Sequence, residues 1–123
     1  MAKNVLIVDD SATMRKMIMR GLRQAGMEQA EFKEAGDGVE GLAALSTGTF
    51  DLILSDVNMP NMNGLDFVKA VCEKLSAPPP IVMITTEGSE DVMGEAMRSG
   101  AKGYLRKPFT SEKIKKVMGP FFE

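Results

Sequence analysis

The sequence predicts a single α/β domain, a three-layer doubly wound sandwich in which a five-stranded parallel sheet lies between two layers made of five helices. Three observations carry that expectation. Short apolar runs and amphipathic helical stretches alternate five times along 123 residues, and β-α alternation with short connections requires right-handed crossovers and helices on both faces of a parallel sheet. The apolar runs are nearly unbroken, as in strands buried on both faces. Four of them also end in reactive residues: Asn4 to Val8 runs into Asp9 and Asp10, Leu52 to Ser55 into Asp56, Ile81 to Ile84 into Thr85, and Tyr104 to Arg106 into Lys107. The carboxyl ends of parallel strands share one edge, so these residues are expected in one crevice.

Each element has its own signal. Asn4 to Val8 is the first buried strand. Ser11 is a candidate N-cap for a helix with Met14, Met17, Ile18 and Leu22 on one face, ending near Gly26. Glu31 to Ala35 is more polar and suits a place near the sheet edge. Asp37 with Glu40 reads as a capping box opening a helix through Leu45, and Asp51 to Ser55 is the next buried strand. The loop Asn58-Met59-Pro60-Asn61-Met62-Asn63-Gly64 precedes a helix with Leu65, Val68, Val71 and Leu75 inward. Pro78-Pro79-Pro80 stiffens the entry to Ile81 to Ile84. Ser89 caps a fourth helix ending at Gly100, Gly103 to Arg106 is the last strand, and Thr110 caps a helix carrying Ile114, Val117 and Met118.

Composition excludes several classes of function. With no histidine in the chain, His-ligated metals, Ser-His and Cys-His nucleophile pairs and an internal phosphohistidine are all ruled out. A phosphoryl donor has to be another molecule. Cys72 is the single cysteine; beside Val68, Val71 and Leu75 it reads as a core residue and forms no internal disulfide. No apolar run approaches the roughly 20 residues needed to cross a bilayer, and no signal-peptide core follows Met1-Ala2-Lys3, so the expectation is a cytoplasmic protein without membrane insertion. Residues 1–97 carry 8 basic and 15 acidic groups and residues 98–123 carry 7 and 2, which makes −7 and +5. Such asymmetry flags a partner surface. Lys102, Arg106, Lys113, Lys115 and Lys116 have no interleaved aromatics, so nucleic-acid binding is not expected.

Three carboxylates, a hydroxyl and an ammonium at one edge are suited to binding a divalent cation and moving a phosphoryl group. A carboxylate attacking phosphorus must approach an anionic donor, so the barrier is mostly charge repulsion and positioning, and Asp56 is the favoured acceptor. Asp9 and Asp10 have a plainer reading as a charge pair at a helix N-terminus, worth roughly 0.3–1 kcal/mol each. Thr85 could equally be an ordinary strand-end threonine, and Lys107 a lysine reaching solvent.

The acidic pair Asp9-Asp10, the segment Asp56-Val57-Asn58-Met59-Pro60-Asn61-Met62-Asn63-Gly64, the step Ile84-Thr85-Thr86-Glu87 and the run Gly103-Tyr104-Leu105-Arg106-Lys107-Pro108-Phe109 occur in order and at strand ends. With these the chain resembles, from end to end, the receiver domain of two-component response regulators, and most closely the stand-alone CheY-like chemotaxis receivers. The resemblance implies a flavodoxin-like three-layer fold, one receiver domain over residues 1–123 without an output domain, and a monomer. It makes Asp56 the phosphoacceptor, served by a CheA-like histidine kinase. Asp10 and Asp56 would bind Mg²⁺ directly, Asp9 mainly through water, and the backbone carbonyl of Asn58 would add an oxygen. An all-oxygen set also admits Mn²⁺ and disfavours zinc. Lys107, before a cis Pro108 in the family, would aim its ammonium at the phosphoryl group. Thr85 would donate a hydrogen bond to that group, and Tyr104 would be the aromatic that turns inward when the threonine moves.

Modification would then move the loop from Thr86 to Ser89 and the glycine-interrupted helix beyond it. Met93, Met97, Tyr104 and Arg106 would form an adaptable surface for a FliM-like flagellar switch component. Asn58 and Glu87 would flank the water path and set the phosphoryl lifetime, with autodephosphorylation and a phosphatase as routes of loss. The protein is thus expected to be a signalling protein rather than an enzyme. Two departures stand out: Gly119-Pro120 should end the last helix before Phe121 and Phe122, and Arg106 is charged where an apolar residue is common. A haloacid-dehalogenase-type phosphatase would need an acid in place of Asn58, and a flavodoxin-like electron carrier would find Asp9-Asp10 repelling its phosphate. The alternative left standing is a phosphorelay shuttle that passes its phosphoryl group to a histidine phosphotransfer domain.

Overall fold

The structure, a computed structural model, describes residues 3–85, 90–107 and 110–121. Strand β1 (Asn4–Val8) is followed by α1 (Ala12–Gln24), β2 (Glu31–Ala35), α2 (Gly38–Leu45), β3 (Leu52–Asp56), α3 (Gly64–Lys74), β4 (Ile81–Thr85), α4 (Glu90–Ser99), β5 (Gly103–Arg106) and α5 (Ser111–Met118), with a closing 3₁₀ turn over Gly119–Phe121. All strand pairs are parallel, in the order β2-β1-β3-β4-β5. The chain order reverses between β1 and β3, which places the crevice of a doubly wound sheet at their carboxyl ends.

Side chains alternate across the sheet and sort the core into two layers. Val5 and Ile7 of β1 pack with Ile18 and Leu22 of α1 and with Ile114 and Met118 of α5. Leu6 and Val8 face the other way, toward Phe67, Val68 and Val71 of α3 and Met93 and Ala96 of α4. The polar strand β2 lies at the edge, where one face and one ladder are free to meet water. Arg23 lies over the ring of Phe32 on that strand, 4.9 Å from its centroid.

Side-chain caps mark the starts of α1, α2, α3 and α5. Ser11 accepts from Met14 N at 3.2 Å, Asp37 from Glu40 N at 2.8 Å and Thr110 from Lys113 N at 3.2 Å. Asn63, not anticipated as a cap, accepts from Asp66 N at 2.9 Å. The capping box at α2 is displaced by one residue: the Glu40 carboxylate accepts from Gly36 N at 3.1 Å, one position ahead of the cap. Ser89 lies outside the described residues.

The face assigned to α1 needs correction. Met17 is 54% exposed, and Met19 is buried in its place beside Ile18 and Leu22. Cys72 is half-buried among the α3 and α4 packing residues, as a core reading expects. Gly100 ends α4 with φ 128°, and a Cβ there would stand 2.5 Å from the Cys72 sulfur, so conformation and space both demand glycine. Helix α5 does stop at Met118, but Gly119, Pro120 and Phe121 continue it as one 3₁₀ turn. Phe122 and the side chain of Phe121 lie outside the described residues.

Candidate functional site

Asp9 follows the last residue of β1, and Asp56 and Thr85 are the final residues of β3 and β4. Both strands therefore run one residue further than their apolar patterns suggest, with Asp56 opposite Ile84 and Thr85 opposite Arg106 in the ladders. Neighbouring strands stand about 4.8 Å apart, so the strand ends alone bring these groups to one edge. Carboxylate oxygens of Asp9, Asp10 and Asp56 all lie within 4.8 Å of one another. Asp9 and Asp56 are buried and Asp10 is exposed, so the cluster opens to solvent on one side.

Lys107 is the cation of the site. Its Nζ lies 3.3 Å from Asp9 Oδ2 and 3.7 Å from Asp56 Oδ1, and its main-chain N–H donates to the Thr85 carbonyl at 2.6 Å. One ammonium between three carboxylates leaves a local charge of −2 when all are ionised. Burial raises the Asp56 carboxyl above its ordinary pKa. The Lys107 ammonium opposes this, the Asp9 charge adds to it, Val57 N–H opposes it by donating to Oδ1 at 2.8 Å, and the Asp10 charge adds again.

The donor set fits a hard divalent cation. Bonds of about 2.1 Å place opposite ligand oxygens of a Mg²⁺ ion about 4.2 Å apart, so oxygens within 4.8 Å close on it with small shifts. Oxygen-only ligands match Mg²⁺ or Mn²⁺ and offer zinc nothing it prefers.

Sequence reasoning missed the supports beneath these groups. Arg15, in the first turn of α1 and six residues beyond Asp9, donates from Nη1 to the Asp9 carbonyl at 2.6 Å and from Nε to Glu34 at 2.9 Å. The Arg15 hydrogen bond, reinforced by the Lys16 charge, holds the Glu34 carboxyl below its ordinary pKa against its partial burial. Asp9 Oδ1 also accepts from Ser11 N at 2.9 Å. An arginine in the first turns of α1 with an acid near the end of the adjoining strand was the available signal. Gly64 is a second support. A Cβ there would overlap the Asp56 carbonyl, and Gly64 N donates to Val57 O at 2.8 Å, so the loop after Asp56 closes only around a glycine.

Asn58 is exposed in that loop, two residues beyond Asp56. Glu87 and Pro108, with the Lys107-Pro108 bond, lie outside the described residues. The expected partner surface is a shallow groove of about 230 Å³ lined by Met93, Gly94, Met97, Tyr104 and Arg106. Met93 is 4% exposed and belongs to the core, so it forms the floor rather than an open contact. Met97 and Tyr104, each 42% exposed, and the exposed Arg106 form the accessible part. Among the described residues no helix is long and apolar enough to cross a membrane.

Comparison with known proteins agrees with this geometry. A profile of the response regulator receiver domain matches residues 5–118. Chemotaxis protein CheY of Pseudomonas aeruginosa is 39% identical over 120 residues, covering 97% of this chain and 95% of that one. Chemotaxis protein CheY-3 of Vibrio cholerae is 38% identical, covering 97% and 91%. The solved structure of chemotaxis response regulator CheY4 of Vibrio cholerae superposes with a TM-score of 0.85 at 40% identity, covering 99% of this chain and all of that one. Sheet order, helix layers and the placement of Asp9, Asp10, Asp56 and Lys107 at one edge thus coincide with a sequence match across nearly the whole length, and the chain belongs to the response regulator receiver family, in its CheY-like chemotaxis branch.

Proposed function

We propose that this chain accepts a phosphoryl group on Asp56 from the phosphohistidine of a CheA-like histidine kinase and, once modified, binds a FliM-like flagellar switch component through the Met97–Tyr104–Arg106 groove. The reading takes it as a single receiver domain, monomeric and cytoplasmic. The observation that carries it is the charge arrangement: three carboxylates within 4.8 Å with one ammonium contacting two of them.

An Asp56 carboxylate oxygen would attack phosphorus while the bond from phosphorus to the kinase imidazole breaks, the electron pair leaving on that nitrogen. Asp9, Asp10, Asp56 and the Asn58 carbonyl would hold Mg²⁺, which neutralises the residual −2 charge and the phosphoryl oxygens. Lys107 is already aimed at Asp56 and would pair with a phosphoryl oxygen, at the cost of one of its two carboxylate contacts. Thr85 would turn its hydroxyl toward the same group. Its main-chain bond to Lys107 N and its ladder position opposite Arg106 join that movement to β5, where Tyr104 and Arg106 border the groove. Asn58 and Glu87 would control water access to the acyl phosphate and so its rate of self-hydrolysis.

The test is direct. With Mg²⁺ and a small acyl-phosphate donor the protein should gain one labile phosphoryl group, and Asp56→Asn should gain none; full labelling of Asp56→Asn at the wild-type rate would overturn the assignment. Phosphorylated protein should then bind switch-component peptides without losing its phosphoryl group. Rapid transfer to histidine phosphotransfer domains, with no peptide binding, would instead identify a relay shuttle.

A further inference from the structure

The loop that follows Asp56 is fastened at two places. At its base Val57 N donates to Ile84 O at 3.2 Å and Gly64 N to Val57 O at 2.8 Å, which ties the loop to β3 and β4. At its tip Asn61 Nδ2 donates to Asp37 Oδ2 at 2.7 Å, Gly38 N donates to Met62 O at 3.3 Å, and the Met62 side chain fills the space above Gly38. The tip is thereby held by the start of α2, 24 residues earlier in the chain. Asn58 lies between the two fastenings.

Asp37 is over-equipped for a cap. Capping α2 needs one side-chain oxygen, and Oδ1 supplies it to Glu40 N at 2.8 Å. The second oxygen is spent on Asn61. The residue is 6% exposed, and the Glu40 N–H and then the Asn61 amide hold its carboxyl below the ordinary pKa, so it is ionised at neutral pH and its bond to Asn61 is charge-assisted. Asn61 is itself unusual. With φ 66° it is the one non-glycine residue in the left-handed region among those described. That conformation is unfavourable for an L residue without local support, and the fixed amide provides it.

From this geometry we propose that Asp37 is a positioning residue for the metal site: through Asn61 it holds the β3–α3 loop, and with it the main-chain carbonyl of Asn58, in place for a divalent cation at Asp9, Asp10 and Asp56. The inference rests on the reading of that cluster as a Mg²⁺ site. Asp37 supplies no ligand. Without the Asp37–Asn61 bond the tip would keep only the Gly38 N–Met62 O bond and the Met62 side-chain contact, and the less firmly held Asn58 carbonyl would have to be ordered each time a cation binds. The consequence falls on affinity, as for other groups that orient metal ligands from behind.

Two variants separate this role from capping. Asp37→Ser keeps an N-cap oxygen but is too short to reach Asn61, and Asn61→Gly keeps a residue at ease with positive φ but removes the amide. Calorimetric titration with Mg²⁺ alone should give each variant about tenfold weaker binding than wild type, and the double variant should be no weaker than the single ones. In the metal-free proteins, amides 58–62 should exchange with solvent faster than in wild type. Unchanged Mg²⁺ affinity in both folded variants, with only a lowered melting temperature, would reduce Asp37 to a cap and overturn the proposal. Independent, multiplying losses in the double variant would also overturn it, because the two residues would then not act through each other. Wild-type protein that binds no Mg²⁺ would remove the cluster reading and this inference together, whereas wild-type binding matched by both variants would remove only the inference. Should Asp37→Ser fail to fold, Asn61→Gly alone carries the comparison.

Discussion

Replacing Asp10 by Asn should have opposite effects on the metal-free and the Mg²⁺-bound protein. Asp10 faces two carboxylates across no more than 4.8 Å, a separation at which each like-charge pair costs about 0.9 kcal/mol in water and about 3.5 kcal/mol at an effective dielectric of 20. Because Asp10 is exposed, the water-like end of that range applies and two pairs give about 2 kcal/mol. Losing a negative charge just ahead of α1 gives back roughly 0.3–1 kcal/mol of helix-dipole interaction. The metal-free variant should therefore be stabilised by about 1 kcal/mol, or roughly 3–5 °C in a domain of this size. Mg²⁺ at ten times its dissociation constant stabilises wild type by about 1.4 kcal/mol, and a variant binding tenfold more weakly by about 0.4 kcal/mol. The advantage of the variant in chelator should thus disappear in Mg²⁺. The assay is scanning calorimetry at matched ionic strength, since salt alone screens the exposed pair. Equal Mg²⁺ shifts in both proteins would refute the site, and a metal-free variant less stable than wild type would show that Asp10 serves the α1 terminus instead.

Two further outcomes follow from the same residues. Asp56 has a folded-state pKa raised chiefly by burial, so its protonated form is favoured in the native state and the stability it contributes is lost as pH rises from its unfolded value, near 4, through the folded one. The metal-free melting temperature of Asp56→Asn should match wild type below pH 4 and rise progressively above it toward neutrality; a gap that is constant with pH would refute the shift. Thr85→Ala should still be phosphorylated but lose the coupling to the groove, expected at about 1–3 kcal/mol or roughly 5 to 150-fold in peptide affinity, whereas Met97→Ala or Arg106→Ala should weaken peptide binding and leave Mg²⁺ binding intact. Calorimetric peptide titrations with and without beryllofluoride check both, and a Thr85→Ala protein that binds as tightly as wild type when modified would exclude the threonine from the relay.

The parts of the fold that sequence made legible are those governed by burial and by strand direction. Unbroken apolar runs marked β1, β3 and β4, the charged pattern of Glu31 to Ala35 marked an edge strand, and parallel topology gathered Asp9, Asp56 and Lys107. The phase of α1 was not legible. Met17 and Met19 flank Ile18 with the same chemistry, so apolar spacing cannot tell which side meets the sheet; Met19 is the one that packs inward. Strand ends were one residue short because Asp56 and Thr85 are polar, and a polar residue can still pair in the ladder at the end of a strand. Arg15 and Asn61 escaped for another reason. The pairing of Arg15 with Glu34 had a side-chain signal but its bond to the Asp9 carbonyl had none, and Asn61 depends on a backbone angle as well as on a partner 24 residues away.

The charges at the sheet edge also explain why so small a domain needs such rigid supports. The metal-free site holds three carboxylates against one ammonium, and Asp56 and Asp9 are both buried, so the native state carries an electrostatic penalty that the fold must absorb. If the carboxylates could move apart they would, and the affinity for a cation would fall with the repulsion that was relieved. They are prevented from doing so by groups that are not part of the chemistry: Arg15 on the Asp9 carbonyl, Val57 N–H on Asp56 and Gly64 under the Asp56 carbonyl. Each of these restrains the main chain or a carboxylate oxygen that a ligand would otherwise have to organise. Preorganisation of this kind transfers the cost of gathering like charges from binding to folding, where the two apolar layers on either side of the sheet can offset it. Under the proposed function, the freedom needed for signalling would then lie away from the carboxylates, on the β4–β5 side. There the Lys107 main-chain N–H donates to the Thr85 carbonyl, and the groove nearby has the buried Met93 as its floor and the exposed, adaptable Met97 at its side.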